Sequence, residues 1–164
     1  MKRIILFLLP LAMFAASDLT KEVRHELVTL PYYGVFDNLA YRVDGSKVTL
    51  FGQVRDPKLK DDAGKAVKSI EGVSAVDNQI EVMPLSPADD QTRIAVYRAI
   101  YSKPSLQRYQ MGAVPPIHII VKNGDVTLEG FVANQMDKDV AGIAAKGVGS
   151  AHQVNNNLKT DSGK

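Results

Sequence analysis

Residues 39–82 of this chain of 164 residues reappear as residues 117–160 at a constant offset of 78, without a gap, and fourteen of the 44 aligned pairs are identical. The identities cluster. Val48-Thr49-Leu50 matches Val126-Thr127-Leu128, Gly52 and Val54 match Gly130 and Val132, Ala63-Gly64 matches Ala141-Gly142, and Val76 and Asn78 match Val154 and Asn156. A register held over that length marks a duplicated supersecondary unit, so the chain is expected to fold as two copies of one small domain. Upstream, Val23 and Leu27 before Pro31 match Val96 and Ile100 before Pro104 at an offset of 73, which leaves the second copy five extra residues between its first helix and first strand. The expected units are 18–83 and 86–160, with a leader at 1–17 and a flexible tail at 161–164.

Each copy reads as α-β-β-α-β. In the first, Val23, Leu27 and Leu30 recur at i, i+4, i+7 on an opening helix; in the second, Ser86 can cap, Pro87 suits the first helical position, and Ile94, Val96 and Ile100 supply apolar contacts. A hairpin follows. Leu39, Tyr41 and Val43 alternate up to Asp44-Gly45, and Val48, Leu50 and Val54 alternate beyond it; the second copy repeats this as Ile117, Ile119 and Val121, a turn at Asn123-Gly124, then Val126, Leu128 and Val132. A second helix starts at Asp56-Pro57 or Asn134, with Leu59, Ala63, Ala66, Val67 and Ile70 on one stripe and Gly72 marking its end. A closing strand carries Val76, Ile80 and Val82, or Val154 and Leu158. The fold class is α+β, two tandem units each with a small three-stranded mixed sheet and two helices on one face. Gly64 and Gly142 each cost helix propensity, so their recurrence predicts a close backbone approach. Gly52 and Gly130 interrupt the apolar face of a strand, where a missing side chain would let a helix lie close to the sheet.

The N-terminus places Lys2 and Arg3 before an apolar stretch, Ile4 to Ala16, that ends in small residues. This has the n-region, h-region and cleavage-site pattern of a secretory signal peptide. As a helix the stretch would rise about 20 Å, short of the ~30 Å hydrocarbon core, so export is expected rather than anchoring. Lys2 and Arg3 are two of the twenty basic residues, so residues 18–164 hold eighteen basic against eighteen acidic side chains. A neutral chain without a basic stripe argues against nucleic acid as partner. The absence of Cys excludes disulfides, thiolate metal sites and a lipid-modified N-terminal thiol.

Catalytic and metal residues are not expected. His25, His118 and His152 lie far apart and no pair has metal-ligand spacing. No G-x-S-x-G elbow occurs, and Gly147-Val148-Gly149 neither follows a strand nor opens a helix, so it reads as a helix end rather than a dinucleotide site. No cofactor is expected. Asn78 and Asn156, polar among buried positions, read as side chains that satisfy backbone at a strand irregularity.

The order α-β-β-α-β, with V-x-L-x-G-x-V on the second strand (Val48, Leu50, Gly52, Val54; Val126, Leu128, Gly130, Val132) and V-x-N-x-(I/L) on the last (Val76, Asn78, Ile80; Val154, Asn156, Leu158), resembles the BON domain. An exported chain with two such units resembles the dual-BON envelope proteins. The resemblance implies a non-enzymatic periplasmic module of the cell envelope, linked to osmotic stress, for which phospholipid surfaces or envelope proteins are the partners. Chaperone-like binding of polypeptide clients is the alternative it implies. The shared motif is structural, so it carries over Gly52, Asn78, Gly130 and Asn156 as fold residues and no lipid-contacting residue; oligomeric state stays open.

Candidate contacts come from the pattern itself. Counting by two from Leu50 and Leu128, Phe51, Phe131 and Ile120 point away from the helices and could form an exposed apolar patch, or be the faces on which the two units meet. Tyr32, Tyr33 and Phe36 in the first helix-to-strand loop, and Tyr109 and Met111 in the longer second one, could sit at headgroup level on a membrane, or fold back over the core. The linker Met83-Pro84-Leu85-Ser86-Pro87 is short and stiffened by two prolines, so independent tumbling of the units is not expected.

Overall fold

The computed structural model of the chain describes residues 11–160. The first ten residues of the expected leader and the tail at 161–164 lie outside the described residues. The first unit comprises α1 (Leu11–Val28), β1 (Asn38–Asp44), β2 (Lys47–Val54), α2 (Pro57–Lys68), β3 (Ala75–Asn78) and β4 (Glu81–Val82). The second comprises α3 (Pro87–Tyr101), a 3-10 segment (Pro104–Gln110), β5 (Ile117–Lys122), β6 (Asp125–Val132), α4 (Gln135–Lys146), β7 (Val154–Asn156) and β8 (Lys159–Thr160). In each, the hairpin is antiparallel and the closing strand runs parallel to the middle strand, in two pieces: β3 and β4 both pair with β2, and β7 and β8 both pair with β6. The mixed three-stranded sheet with two helices on one face is the architecture that the repeat predicted, with the third strand broken.

Local chemistry starts the helices where the sequence placed them. The Asp56 carboxylate accepts from the Lys58 N–H at 2.8 Å ahead of Pro57. Ser86 accepts from the Asp89 N–H at 3.1 Å ahead of Pro87, and Asn134 accepts from the Asp137 N–H at 2.9 Å. Such caps contribute about 1 kcal/mol each by satisfying an otherwise unpaired donor. Two separate cores result. One gathers Leu19, Val23, Leu27, Val48, Leu50, Val54, Leu59, Ala63, Val67 and Ile80; the other gathers Val96, Ile100, Leu106, Ile117, Ile119, Val121, Val126, Leu128, Ala141 and Leu158, among others.

The recurrent Asn and the recurrent helical Gly form one device. Asn78 Nδ2 donates to the Lys60 carbonyl of α2 at 2.8 Å, while its Oδ1 accepts from the Ile80 N–H at 3.3 Å across the strand break. Asn156 does the same with Lys138 (2.7 Å) and Leu158 (3.3 Å). A Cβ on Gly64 would stand 2.8 Å from Asn78 Nδ2, and one on Gly142 would stand 2.6 Å from Asn156 Nδ2. The close approach is thus between the helix backbone and the amide side chain that pins the broken strand to it.

Several expectations shift. Gly52 and Gly130 do not make room for a helix: their φ angles are +114° and +111°, and a Cβ would collide with the carbonyls of Asn38 and Pro116 on the neighbouring strand. They are required by a kinked strand, a conformation that side chains with a Cβ rarely adopt. The first hairpin turn is Gly45-Ser46, one residue later than expected, because Asp44 pairs with Lys47 and Gly45 takes the positive φ; this matches Asn123-Gly124 at the same offset of 78. Ile94 is exposed, since on α3 it lies away from the face holding Val96 and Ile100. Val82 is exposed on the short second piece of the closing strand. Leu30 and Ile70 fall beyond the ends of α1 and α2 and are half-buried there. Gly147 caps α4, as the helix-end reading of Gly147-Val148-Gly149 has it.

Candidate interaction surfaces

Burial along β5 departs from the alternation of a one-sided strand. Ile117, Ile119 and Val121 face the core, yet His118 and Ile120, on the opposite face, are also buried. What covers His118 on this side of β5 is the first unit. Its loop after α1 lies along the strand edge, where the Ile119 N–H donates to the Val35 carbonyl at 2.8 Å. Tyr33 stacks on His118 with ring centroids 5.4 Å apart, and Phe36 meets Tyr97 edge-on at 6.1 Å, with Tyr101 behind it at 4.7 Å from Tyr97. Val35 and Phe36 therefore pack against the core of the second unit although the chain assigns them to the first.

Charged groups brace the same joint. Arg93, 2 % exposed, donates through Nη2 to the Val121 carbonyl at 2.5 Å and through Nη1 to Asp90 at 2.7 Å, and Asp90 lies 3.5 Å from Arg55 of the first unit. Buried Asp37 accepts from the N–H groups of Arg55 (2.8 Å) and Gly34 (3.3 Å), which shapes the loop. Burial raises its pKa from the usual carboxylate value, those two hydrogen bonds opposing the rise. Burial likewise lowers the pKa of His118, against the nearby carbonyls of Gly34 and Asp37, and pushes Tyr33 up to about 12. The His118 Nε2 meets the Tyr33 hydroxyl at 3.3 Å, and its Nδ1 is buried without a hydrogen bond. A second cluster joins the 3-10 segment to α4: the Tyr109 hydroxyl donates to buried Asp137 at 2.7 Å, Arg108 pairs with the same carboxylate, and Asn134 Nδ2 donates to it at 3.1 Å.

The sequence-derived candidates separate accordingly. Ile120 is buried, so it does not share an exposed patch with Phe51 and Phe131, which stay partly exposed, Phe131 beneath the Lys159 ammonium. Tyr33 and Phe36 are committed to the joint and Tyr109 to Asp137, whereas Tyr32 and Met111 are exposed. The five loop residues do not form one surface. The buried cluster of Asp37, Arg93 and His118 was not legible in sequence, since its members lie on three separated elements and match no motif. An open groove between α2 and β3 is lined by Asp61, Lys65, Lys68, Ser74 and Asn78, with Lys68 donating to the Ser74 carbonyl. Among the described residues, no group of three or more His, Asp or Glu side chains is placed to hold a metal, and no helix is long and apolar enough to cross a membrane.

Comparison with known proteins bears on the fold just described. The chain is similar to the Osmotically-inducible protein Y of Escherichia coli (strain K12), 30 % identical over 146 residues that cover 88 % of this chain and 72 % of that protein. Two solved chains of CdsD, a structural protein of the Type III secretion system of Chlamydia trachomatis, are similar at 12 % identity with TM-scores of 0.32 and 0.31, covering 86 % and 87 % of this chain and 91 % and 97 % of theirs; a likeness that loose carries nothing further. The BON domain family model matches twice, at residues 15–84 and 89–162, so the chain is a tandem member of the BON domain family.

Proposed function

We propose that this protein is an exported, non-catalytic component of the cell envelope that meets phospholipid surfaces and serves under osmotic stress. The observation that carries the reading is the pair of BON domains filling residues 15–84 and 89–162, together with the similarity to the osmotically inducible protein of E. coli over most of both chains. The buried polar clusters agree with it: Asp37, Arg93 and Asp137 hold loops and units together through hydrogen bonds within the protein, which is structural work. The N-terminal pattern of Lys2, Arg3 and an apolar run supports export to the periplasm.

Two measurements test this. The protein recovered from cells should be found in the periplasmic fraction, with an N-terminus near residue 18. In sedimentation with liposomes it should pellet with the lipid, and at physiological salt binding should persist, because a chain with balanced charge relies on apolar contact more than on long-range attraction. A protein that stays in the supernatant with every lipid, and instead suppresses the aggregation of unfolded polypeptide, would replace this reading with that of a periplasmic chaperone.

A further inference from the structure

The joint between the two units closes around a titratable ring. His118 is buried on the outward face of β5 and stacks on Tyr33 of the first unit, with centroids 5.4 Å apart and planes 16° from parallel. Its Nε2 meets the Tyr33 hydroxyl at 3.3 Å, and the same hydroxyl takes the Leu39 N–H at 3.5 Å. Its Nδ1 is buried without a hydrogen bond, although the carbonyls of Gly34 and Asp37 lie near. A neutral imidazole has one donor and one acceptor, an imidazolium two donors. Beside a neutral ring the Tyr33 O–H can donate to Nε2. Once both nitrogens carry protons, that hydroxyl must turn its own proton away into buried surroundings.

The charges around the ring leave a proton on it uncompensated. Asp37 on the loop gives its carboxylate to the Arg55 and Gly34 N–H groups at 2.8 and 3.3 Å and lies in the field of Arg55 and Arg93. Arg93 on α3 pairs with Asp90, which also faces Arg55 at 3.5 Å. The joint thus sets two cations against two carboxylates, and an imidazolium is a third cation. Glu129 stands opposite His118 in the register of β5 and β6, but its carboxylate accepts from Asn157 at 2.8 Å, on the β7 side of β6 and away from β5. A buried charge without a partner is far costlier than a neutral polar group.

Little else holds the joint. It rests on the hydrogen bond from Ile119 to Val35, the ring contacts of Tyr33 and Phe36, and the pairs Arg55–Asp90 and Lys122–Glu81, whose side chains are nearly half-exposed. Ion pairs so exposed contribute little. Neither core contains His118.

We infer that this joint is a proton-operated clasp: His118, on taking up a proton, releases the loop 33–37 from β5 and lets the two units part with both cores intact. Parting uncovers Phe36, Tyr97 and the edge of β5, so acid presents an apolar surface and an unpaired strand edge that the closed protein hides. The clasp does not depend on the phospholipid reading.

Hydrogen exchange, corrected for the pH dependence of the intrinsic rate, tests this. It compares the Ile119 amide with those of Gln79 and Val126, whose partners Leu50 and Gln153 lie within their own units. From pH 7 to pH 4 the Ile119 amide should lose protection while the other two keep theirs, and the radius of gyration should grow. The His118 ring signals in NMR should titrate with the same midpoint. Proton uptake by Asp37 also loosens the loop, but Asp37 remains in the variants His118→Gln and His118→Phe, the second of which keeps a flat ring against Tyr33. In both, the pH-dependent loss at Ile119 should largely vanish; where a variant is open at every pH, the coincidence of midpoints in the unaltered protein decides. The clasp is overturned if all three amides lose protection together, if Ile119 stays protected while His118 titrates, if the ring stays neutral down to pH 4, or if both variants open over the same pH range as the unaltered protein.

Discussion

The two units share a core plan and differ at one sheet edge. In the second, β5 is buried on both faces, and the loop 33–37 of the first unit lies against His118 and the Ile119 amide; in the first, the outward positions of β1 equivalent to His118 and Ile120 are Ala40 and Arg42, half-buried and exposed. The dependence is thus one-directional, with the first unit lending Val35 and Phe36 to the core of the second. What both copies retain is what each needs to fold: the strand glycines, the Asn-Gly pin, the helix caps. What they do not share is what joins them. A unit of about 65 residues is marginally stable alone, so a lent loop that covers an edge strand stabilises the second unit and also removes an edge open to aggregation.

The comparison can be broken at several points. The largest effects belong to the cores: Leu50→Ala and Leu128→Ala each remove a fully buried side chain and should cost about 2–5 kcal/mol in denaturant unfolding. If the joint couples the units, both variants lower one shared transition; separate transitions would show two independent domains. Phe36→Ala should destabilise by about 1–3 kcal/mol, and the loss should appear as faster hydrogen exchange at the Ile119 amide, in the other unit, more than at β2. A change confined to the first unit would refute the one-directional dependence.

The Asn-Gly pins should behave alike in both copies. Gly142→Ala is expected to destabilise because its Cβ meets Asn156, but in an Asn156→Ala background the same change should stabilise by up to about 1 kcal/mol through helix propensity. The Gly64 and Asn78 cycle should give the same sign of coupling, so opposite signs would separate two pins that the structure makes equivalent. The smallest effect concerns pH. The pKa of His118 is lowered in the folded protein, so its contribution to stability is fully present above the unfolded value near 6.5 and declines as pH falls below it. Asp37, its pKa raised, acts oppositely only at lower pH, as it takes up its proton. Between pH 7 and 5 the protein should therefore lose stability, and His118→Gln should flatten that slope; a slope unchanged by the substitution would mean that other groups set it.

Much of this was legible in the residues. The offset of 78 carries two α-β-β-α-β units, the periods of two and about 3.6 place Val48, Leu50, Leu128 and Val96 inward, and Asp56, Ser86 and Asn134 announce helix starts, because these are local consequences of backbone geometry. The strand break at Asn78 was legible as an irregularity but not as a bond to Lys60, eighteen residues away. The candidate contacts fared differently. Aromatic residues in a loop suit a membrane surface and a domain joint equally well, and composition does not say which; Tyr33 and Phe36 went to the joint, while Met136 and Ile143 on α4 stay exposed.

Sequence by itself determined the duplicated unit, its element order and most of the strand residues that face each core, because periodicity and capping act over a few residues and recur in both copies. Only the tertiary structure decided how one copy leans on the other: why His118 and Ile120 are buried, why Arg93 reaches the Val121 carbonyl, and why Gly52 and Gly130 answer to a neighbouring strand. Those contacts join elements far apart in the chain, and their energies depend on which surfaces meet rather than on any local pattern.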